Sequence, residues 1–292
     1  TSGSGTITVS ATQASVTKTA SIPVTISSSS VDHFSFAIIP TQTAGRTFQV
    51  SVMAKDQYNN TVTSYTGNGS LTYSAGTITP TNTNDFSNGV WTGTVKVTKS
   101  ANSAYLSYSD GSHSGNSASF NVVPDVISSV AITPNTATVN LQQSQQFNAK
   151  AYDAYNNEIT TGITYAWTIN DSSFATISPT NASSTNLSAT TKAGATYLNV
   201  TANEASSSLT QTNSVMVTVA PGALDHFTFD PISSPQPTQE LIQVKITARD
   251  QYDNTVTSFN SQVLLSDKSG TMSPSQTTNF SSGVWTGYVQ MS

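Results

Sequence analysis

Ala54-Lys55-Asp56-Gln57-Tyr58-Asn59-Asn60-Thr61-Val62 is the stretch that decides how this chain reads, because it recurs. It returns as Ala151-Tyr152-Asp153-Ala154-Tyr155-Asn156-Asn157-Glu158-Ile159, and again as Ala248-Arg249-Asp250-Gln251-Tyr252-Asp253-Asn254-Thr255-Val256. The aspartates are evenly phased, since 153 − 56 = 97 and 250 − 153 = 97. A constant period of that size marks a tandem array, in which each repeat is one folding unit. Asp and Asn suit a turn, because their side chains bond nearby backbone and they tolerate positive φ. The ring of the tyrosine is expected to plug the end of its own module, with the hydroxyl left wet.

Working backwards from the turn, Phe48, Val50, Val52 and Ala54 alternate with Gln49, Ser51, Met53 and Lys55. That is a period of two, the signature of a strand with one buried and one wet face. Ile242, Val244, Ile246 and Ala248 repeat it, and the middle copy keeps Phe147, Ala149 and Ala151. Further upstream, Val31-Asp32-His33-Phe34-Ser35-Phe36 recurs as Leu224-Asp225-His226-Phe227-Thr228-Phe229 and reads as the opening strand of a module. Downstream, Leu71-Thr72-Tyr73 is a short strand and Asn84 to Gly89 a turn. Val90 to Val97 is a strand with Trp91, Gly93, Val95 and Val97 on one face; Phe280 to Gly287 repeats its start. Ala104–Ser109 and Ser117–Val123 bring the count to about seven strands, as an immunoglobulin-like β-sandwich requires.

The middle copy keeps the phase but changes its wording. It carries Val130 to Pro134, Ile163 to Ile169 and Gly194 to Val200, so Trp167 sits on a different strand from Trp91. Pro134…Phe147…Asp153…Asn157…Trp167…Gly194-Ala195-Thr196 resembles bacterial and archaeal Ig-like (BIg-type) surface repeats. The modules around Asp32-His33-Phe34, Asp56 to Asn60 and Gly89 to Gly93 resemble the related filamin- and invasin-like repeats of prokaryotic surface proteins. The resemblance covers nearly the whole chain. It implies a stalk, adhesin, surface-layer or filament protein, and brings no catalytic residues with it.

The expected fold is therefore all-β, with tandem Ig-like sandwich modules in a linear array. Residues 1–30 read as the closing strands of a truncated preceding module, with strands at Thr6–Ser10 and Ile22–Ile26. Residues 31–124 form one Ig-like module, 125–221 a BIg-type module, and 222–292 a module lacking its closing strands. Two readings of the ends stand side by side. The chain is an excerpt of a longer repeat protein, or copies join head to tail by donating the strands of 1–30, since an open sandwich exposes a groove and unpaired edges.

Composition narrows the function. Only 9% of the 292 residues are charged, and serine with threonine makes up about a third. Such a hydroxyl-wetted surface fits an extracellular or cell-surface setting. With a net charge of −5 and no basic patch, nucleic acid is an unsuitable partner. No apolar run is long enough to span a bilayer. Cysteine is absent, so there are no disulfides and no thiolate metal sites.

No nucleophile–base–acid set is present. His33 and His226 occupy equivalent positions of different modules and cannot converge on one site. Asp32, Asp56, Asp85 and Asp110 are expected near one pole of their sandwich, where calcium could be held by carboxylate oxygens. Turn capping competes with calcium as their role. Trp91, Trp167 and Trp285 share faces with small or branched apolar residues, so core explains them better than sugar stacking. Among the glycosylation sequons, Asn68 and Asn181 lie in turns and are the accessible candidates for glycans.

The expected function is structural and non-enzymatic, without a cofactor unless calcium binds. Its partners would be other copies of itself, in a homopolymer or lattice, or neighbouring modules of a longer chain. Two alternatives remain: an adhesin that binds a carbohydrate or protein receptor through its pole loops, and a spacer region of a larger secreted enzyme.

Overall fold

The computed structural model describes residues 2–292, and no helix occurs among them. The chain divides into two compact units. One is the segment up to Val126 together with Tyr152–Glu158; the other is Ile127–Ala151 together with Ile159–Ser292.

The first unit opens with a two-stranded hairpin, β1 (Gly3–Gln13) and β2 (Val16–Ile26). Both strands run well beyond the two short segments that alternation alone suggests. Their two-residue turn, Ala14-Ser15, has positive φ at both positions (48° and 64°). That is the backbone of the tightest hairpin turns, usually written with Asn and Gly, so this sequence did not announce it.

A sandwich follows: β3 (His33–Phe36), β4 (Gln42–Thr43), β5 (Thr47–Lys55), β6 (Ser70–Tyr73), β7 (Ile78–Thr79), β8 (Val90–Val97), β9 (Ala101–Ala104), β10 (Leu106–Ser109), β11 (Ser114–Asn116) and β12 (Phe120–Val123). One layer runs β3-β5-β8-β7. The other is made of β11-β10-β6 and β4-β12-β9, with β4 parallel to β12. The alternation of β5 is as expected: Phe48, Val50, Val52 and Ala54 are buried, and the residues between them face outward or are half-buried. Trp91 lies flat over Gly93, where an added Cβ would sit 2.2 Å from the ring. A glycine two residues on is therefore what lets the indole lie along its own strand.

In the second unit the same plan is more regular. The strands are β13 (Ile127–Thr133), β14 (Ala137–Asn140), β15 (Ser144–Asp153), β16 (Glu158–Ile159), β17 (Ile163–Ile169), β18 (Ala175–Ser178), β19 (Ser184–Ala189), β20 (Gly194–Glu204) and β21 (Leu209–Ala220). One layer is β13-β15-β19-β18, the other β14-β21-β20-β17. The long β20–β21 hairpin closes the core: Leu198, Val200, Ala202, Val215, Val217 and Val219 are all buried. Each of the larger ones removes apolar surface worth on the order of 1.5–3 kcal/mol. Trp167, on β17, is 2% exposed and donates its Nε1–H to Ala182 O at 2.8 Å.

The unit ends with β22 (His226–Phe229), β23 (Ile242–Arg249) and β24 (Val284–Val289), a single sheet in the order β22-β23-β24. Its small core gathers Ile242, Val244, Ile246, Trp285 and Val289. Leu264, at 82% exposure, and Leu241, at 68%, are left facing outward.

Candidate functional site

The recurring stretch folds three times into the same joint. In each copy a long strand ends and the chain reverses. The backbone N–H of Asn59 donates to Asp56 O at 2.9 Å, that of Asn156 to Asp153 O at 3.1 Å, and that of Asp253 to Asp250 O at 3.0 Å. The third residue after the aspartate is left-handed every time, with φ of 64° at Asn59, 62° at Asn156 and 64° at Asp253. Apart from glycine, Asn and Asp enter that region most readily, which is why the position is written with them.

The aspartate carboxylate is buried inside this turn. In Asp56, Oδ1 accepts the N–H of Tyr58 at 2.9 Å and of Asn60 at 2.8 Å. Oδ1 of Asp153 accepts from Tyr155 and Asn157, and Oδ1 of Asp250 from Tyr252 and Asn254, all at 2.9 Å. The second oxygen grips the linker that enters the module. Asp56 Oδ2 accepts Ser29 N–H at 3.1 Å, Asp153 Oδ2 accepts Asp125 N–H at 3.0 Å, and Asp250 Oδ2 accepts Gly222 N–H at 2.8 Å. Burial opposes ionisation of Asp56 and Asp250, but the hydrogen bonds outweigh it. They hold both carboxyls well below the usual carboxylate range.

Four residues after each aspartate stands an asparagine, and its amide works as a clamp. Asn157 donates through Nδ2 to Thr98 O at 2.8 Å and accepts Ser100 N–H at 2.9 Å. Asn254 donates to Thr191 O at 2.8 Å and accepts Ala193 N–H at 2.8 Å. Asn60 accepts Ser2 N–H at 2.9 Å. Ser100, Ala193 and Ser2 each stand immediately before a strand: β9, β20 and β1 respectively.

The tyrosine corrects the expectation that its ring plugs its own module. Tyr155 lies instead on Gly45 of the preceding sandwich, where an added Cβ would meet the ring at 1.9 Å. Tyr252 donates its hydroxyl to Gln142 Oε1 at 2.9 Å. Positions 45 and 142 are both left-handed, with φ of 78° and 61°. Tyr58 is 69% exposed.

The four aspartates proposed for calcium are engaged separately. Asp32 pairs with His33 at 2.9 Å, and Asp85 accepts from Asn68 Nδ2 at 2.8 Å. Asp56 is the turn carboxylate already described. Asp110 accepts the backbone N–H of Ser112 and His113, at 2.9 and 2.7 Å, and the Tyr65 hydroxyl at 3.2 Å. Burial raises its pKa, and these hydrogen bonds lower it further than burial raises it. Among the described residues, no three His, Cys, Asp or Glu side chains gather as a group able to hold a metal ion. His33 and His226 open their strands as expected, and all three tryptophans are buried. Asn68 and Asn181 are exposed.

The sequence signal for the clamp was present as Asp-x-x-x-Asn in every copy. What could not be read was its target, because Thr98, Ser100, Thr191 and Ala193 contribute only backbone groups.

No protein-family model matches the sequence, and no curated protein does. In structure the chain is similar to invasin, described as a bacterial integrin-binding protein, at 14% identity and a TM-score of 0.40; the match covers 88% of this chain and 54% of that one. It is similar to InvD of Yersinia pseudotuberculosis at 18% identity and a TM-score of 0.39, over 89% of this chain and 83% of that one. A third likeness, to domains 4–9 of the surface layer protein SbsC, has 18% identity and a TM-score of 0.26, over 77% of this chain and 36% of that one. This chain thus spans about half the length of the invasin chain. The class itself follows from strand order and joints: the chain is all-β, an array of immunoglobulin-like sandwich modules.

Proposed function

We propose that the chain is a structural, non-enzymatic spacer of an extracellular or cell-surface protein, whose work is to hold its modules in series. One observation carries this reading. The residues that recur in phase are all used in turns, cores and joints. In each copy the aspartate saturates its turn and linker, and the asparagine bonds backbone next to the strand that follows. A carboxylate with both oxygens engaged by fixed donors is a poor base and a good rivet. The surface-protein names of the structural neighbours agree with this setting without entering the argument. End-to-end joining of copies would extend the array in the same style.

Antibody labelling of intact source cells tests the location. Label on intact cells is expected; label that appears only after permeabilisation would refute the reading. The adhesin alternative calls for an exposed aromatic on a pole loop, and Tyr58 is one. Its counterparts Tyr155 and Tyr252 rest on Gly45 and Gln142, which favours a joint role over a receptor platform at this position of the repeat.

A further inference from the structure

We propose that the cleft where the module of residues 125–221 meets the turn after β23 binds an acidic sugar, a uronate whose carboxylate is taken by Lys192 and Arg249. Such a site adds ligand binding to the spacer role and stands whether or not that role holds. All of its residues lie inside the chain and in the second compact unit.

The cleft holds about 470 Å³, room enough for a small ligand. The module of 125–221 contributes Lys192, just before β20, and Thr218 and Pro221 from the end of β21. β23 contributes its last residue, Arg249, and the turn after it contributes Thr255 and Thr257. The asparagine clamp fastens these two sides together. Asn254 accepts Ala193 N–H and donates to Thr191 O, both at 2.8 Å, so residue 192 is pinned between two bonded neighbours.

Both cations are held in place. Arg249 donates through Nε to Thr228 Oγ1 at 3.2 Å, and through Nη1 to Asp253 O at 2.9 Å and Thr255 Oγ1 at 3.1 Å. These bonds fix the plane of the guanidinium, and the N–H groups of Nη2 are not among them; a fixed guanidinium edge suits a carboxylate. Lys192 Nζ donates to Ser173 Oγ at 3.0 Å and stands 4.5 Å from the centre of the Phe174 ring. An ammonium has more donors than that one bond uses. Two carboxylates stand near. Asp253 lines the cleft, but it is bonded to His226 Nε2 at 3.2 Å. The bond of His226 to Asp225, and then that to Asp253, raise the imidazole above its ordinary value and favour the charged ring beside Asp253. Asp171, held below its ordinary range by Ser173 first and by Lys192 last, is outside the lining.

The whole chain has only 10 lysines and arginines, so two in one cleft set its chemistry. The other groups that line it name the ligand. The hydroxyls of Thr218, Thr255 and Thr257 stand beside the apolar surface of Val219 and Pro221. A pyranose carries hydroxyls around an apolar ring, and a uronate adds one carboxylate. An inorganic anion would leave the apolar surface unused, and a neutral sugar would leave the cations unused. The site is particular to this joint. One period of 97 earlier, Tyr152 stands in the place of Arg249 and Glu158 in that of Thr255. Lys99 matches Lys192, as the residue between the two backbone groups that Asn157 grips. The earlier joint therefore keeps one cation, lacks the other and gains a carboxylate.

The test titrates the full chain with glucuronate, glucose and sodium sulfate in low-salt buffer, followed by backbone amide NMR. Glucuronate is expected to move the amides of Ala193, Gly194 and Thr255 along a saturable curve with a Kd of about 1 mM, and glucose and sulfate to bind about tenfold more weakly or not at all. Lys192→Gln and Arg249→Gln should each weaken glucuronate about tenfold, through loss of a charge-assisted hydrogen bond. Lys192 is exposed, so its variant keeps the fold. Lys99→Gln removes the matching cation of the earlier joint and should leave binding unchanged. A glucuronate titration without saturable shifts overturns the proposal. Sulfate that binds as tightly also overturns it, by marking an adventitious anion only, and so does glucose that binds as tightly. Glucuronate binding that survives Lys192→Gln, or that falls equally in Lys99→Gln, overturns it as well. None of these results bears on the surface-labelling test, so the two readings fail separately.

Discussion

Asp250 shows what one letter does here. It accepts the N–H groups of Tyr252, Asn254 and Gly222 from inside the protein, and it is fully buried. Asp250→Ala would strand those donors. The expected loss is about 1–3 kcal/mol, read as a lower denaturant midpoint with an unchanged slope. Protonation should act in the same direction. The folded carboxyls of Asp56 and Asp250 lie below their unfolded value, so their stabilising effect is fully present above about pH 4 and is lost as pH falls through the folded values. Thermal unfolding followed over an acid series should show the decline from these two carboxylates setting in below about pH 4. The Asp250→Ala variant should show a shallower decline. The turn role of these residues was legible in the sequence, because Asp and Asn are the side chains that bond a reversing backbone and enter the left-handed region. The reach of Asn157 and Asn254 was hidden, since a backbone carbonyl has no letter of its own.

Among the elements, strands were the most readable and their ends the least. Period-two alternation identified β5, β15 and β23 and told the buried face from the wet one. It undersold the hairpin β1–β2, whose polar half carries only Ser, Thr and Pro and whose turn uses Ala14-Ser15. The tryptophan strands carry a further constraint that alternation does not reveal. Gly93 and Gly287 lie beneath Trp91 and Trp285, each with room for no more than a hydrogen. Gly93→Ala is expected to cost about 1–3 kcal/mol through overpacking. Gly5→Ala, where an added Cβ meets nothing within 4 Å of its own chain, should leave the melting curve of the dilute chain unchanged. Equal effects of the two substitutions in calorimetry would contradict this account of the tryptophan strands. The tyrosine of the joint was misassigned for a related reason. A ring next to a turn can cover its own end or a neighbour's, and the deciding feature is a left-handed residue 110 positions earlier, Gln142 for Tyr252.

For the whole molecule, three separate cores mean that stability is a sum of module and joint contributions rather than one global quantity. The last core is the smallest. Calorimetry of the dilute chain should therefore show the 222–292 region unfolding first, followed through hydrogen exchange at Val244 and Ile246. A single cooperative transition with uniform protection would contradict the sum. The array as a whole was legible from the phase of 97. The partners of Asp32, Asp56, Asp85 and Asp110 were not legible, because each carboxylate is taken up by an imidazole, amide or backbone N–H close to it in the fold.

The clamps also set how the chain meets brine. Each clamp pairs a carboxylate with backbone and side-chain amides. The ionic contact close to one, Arg46 to Asp125 at 2.8 Å, has its guanidinium largely in water and contributes little. Mobile ions weaken attractions between exposed opposite charges, whereas a carboxylate wrapped in buried neutral donors is shielded from them. Melting temperatures in dilute buffer and in molar sodium chloride should nearly coincide. An array built from such joints would keep its connections from dilute buffer to seawater.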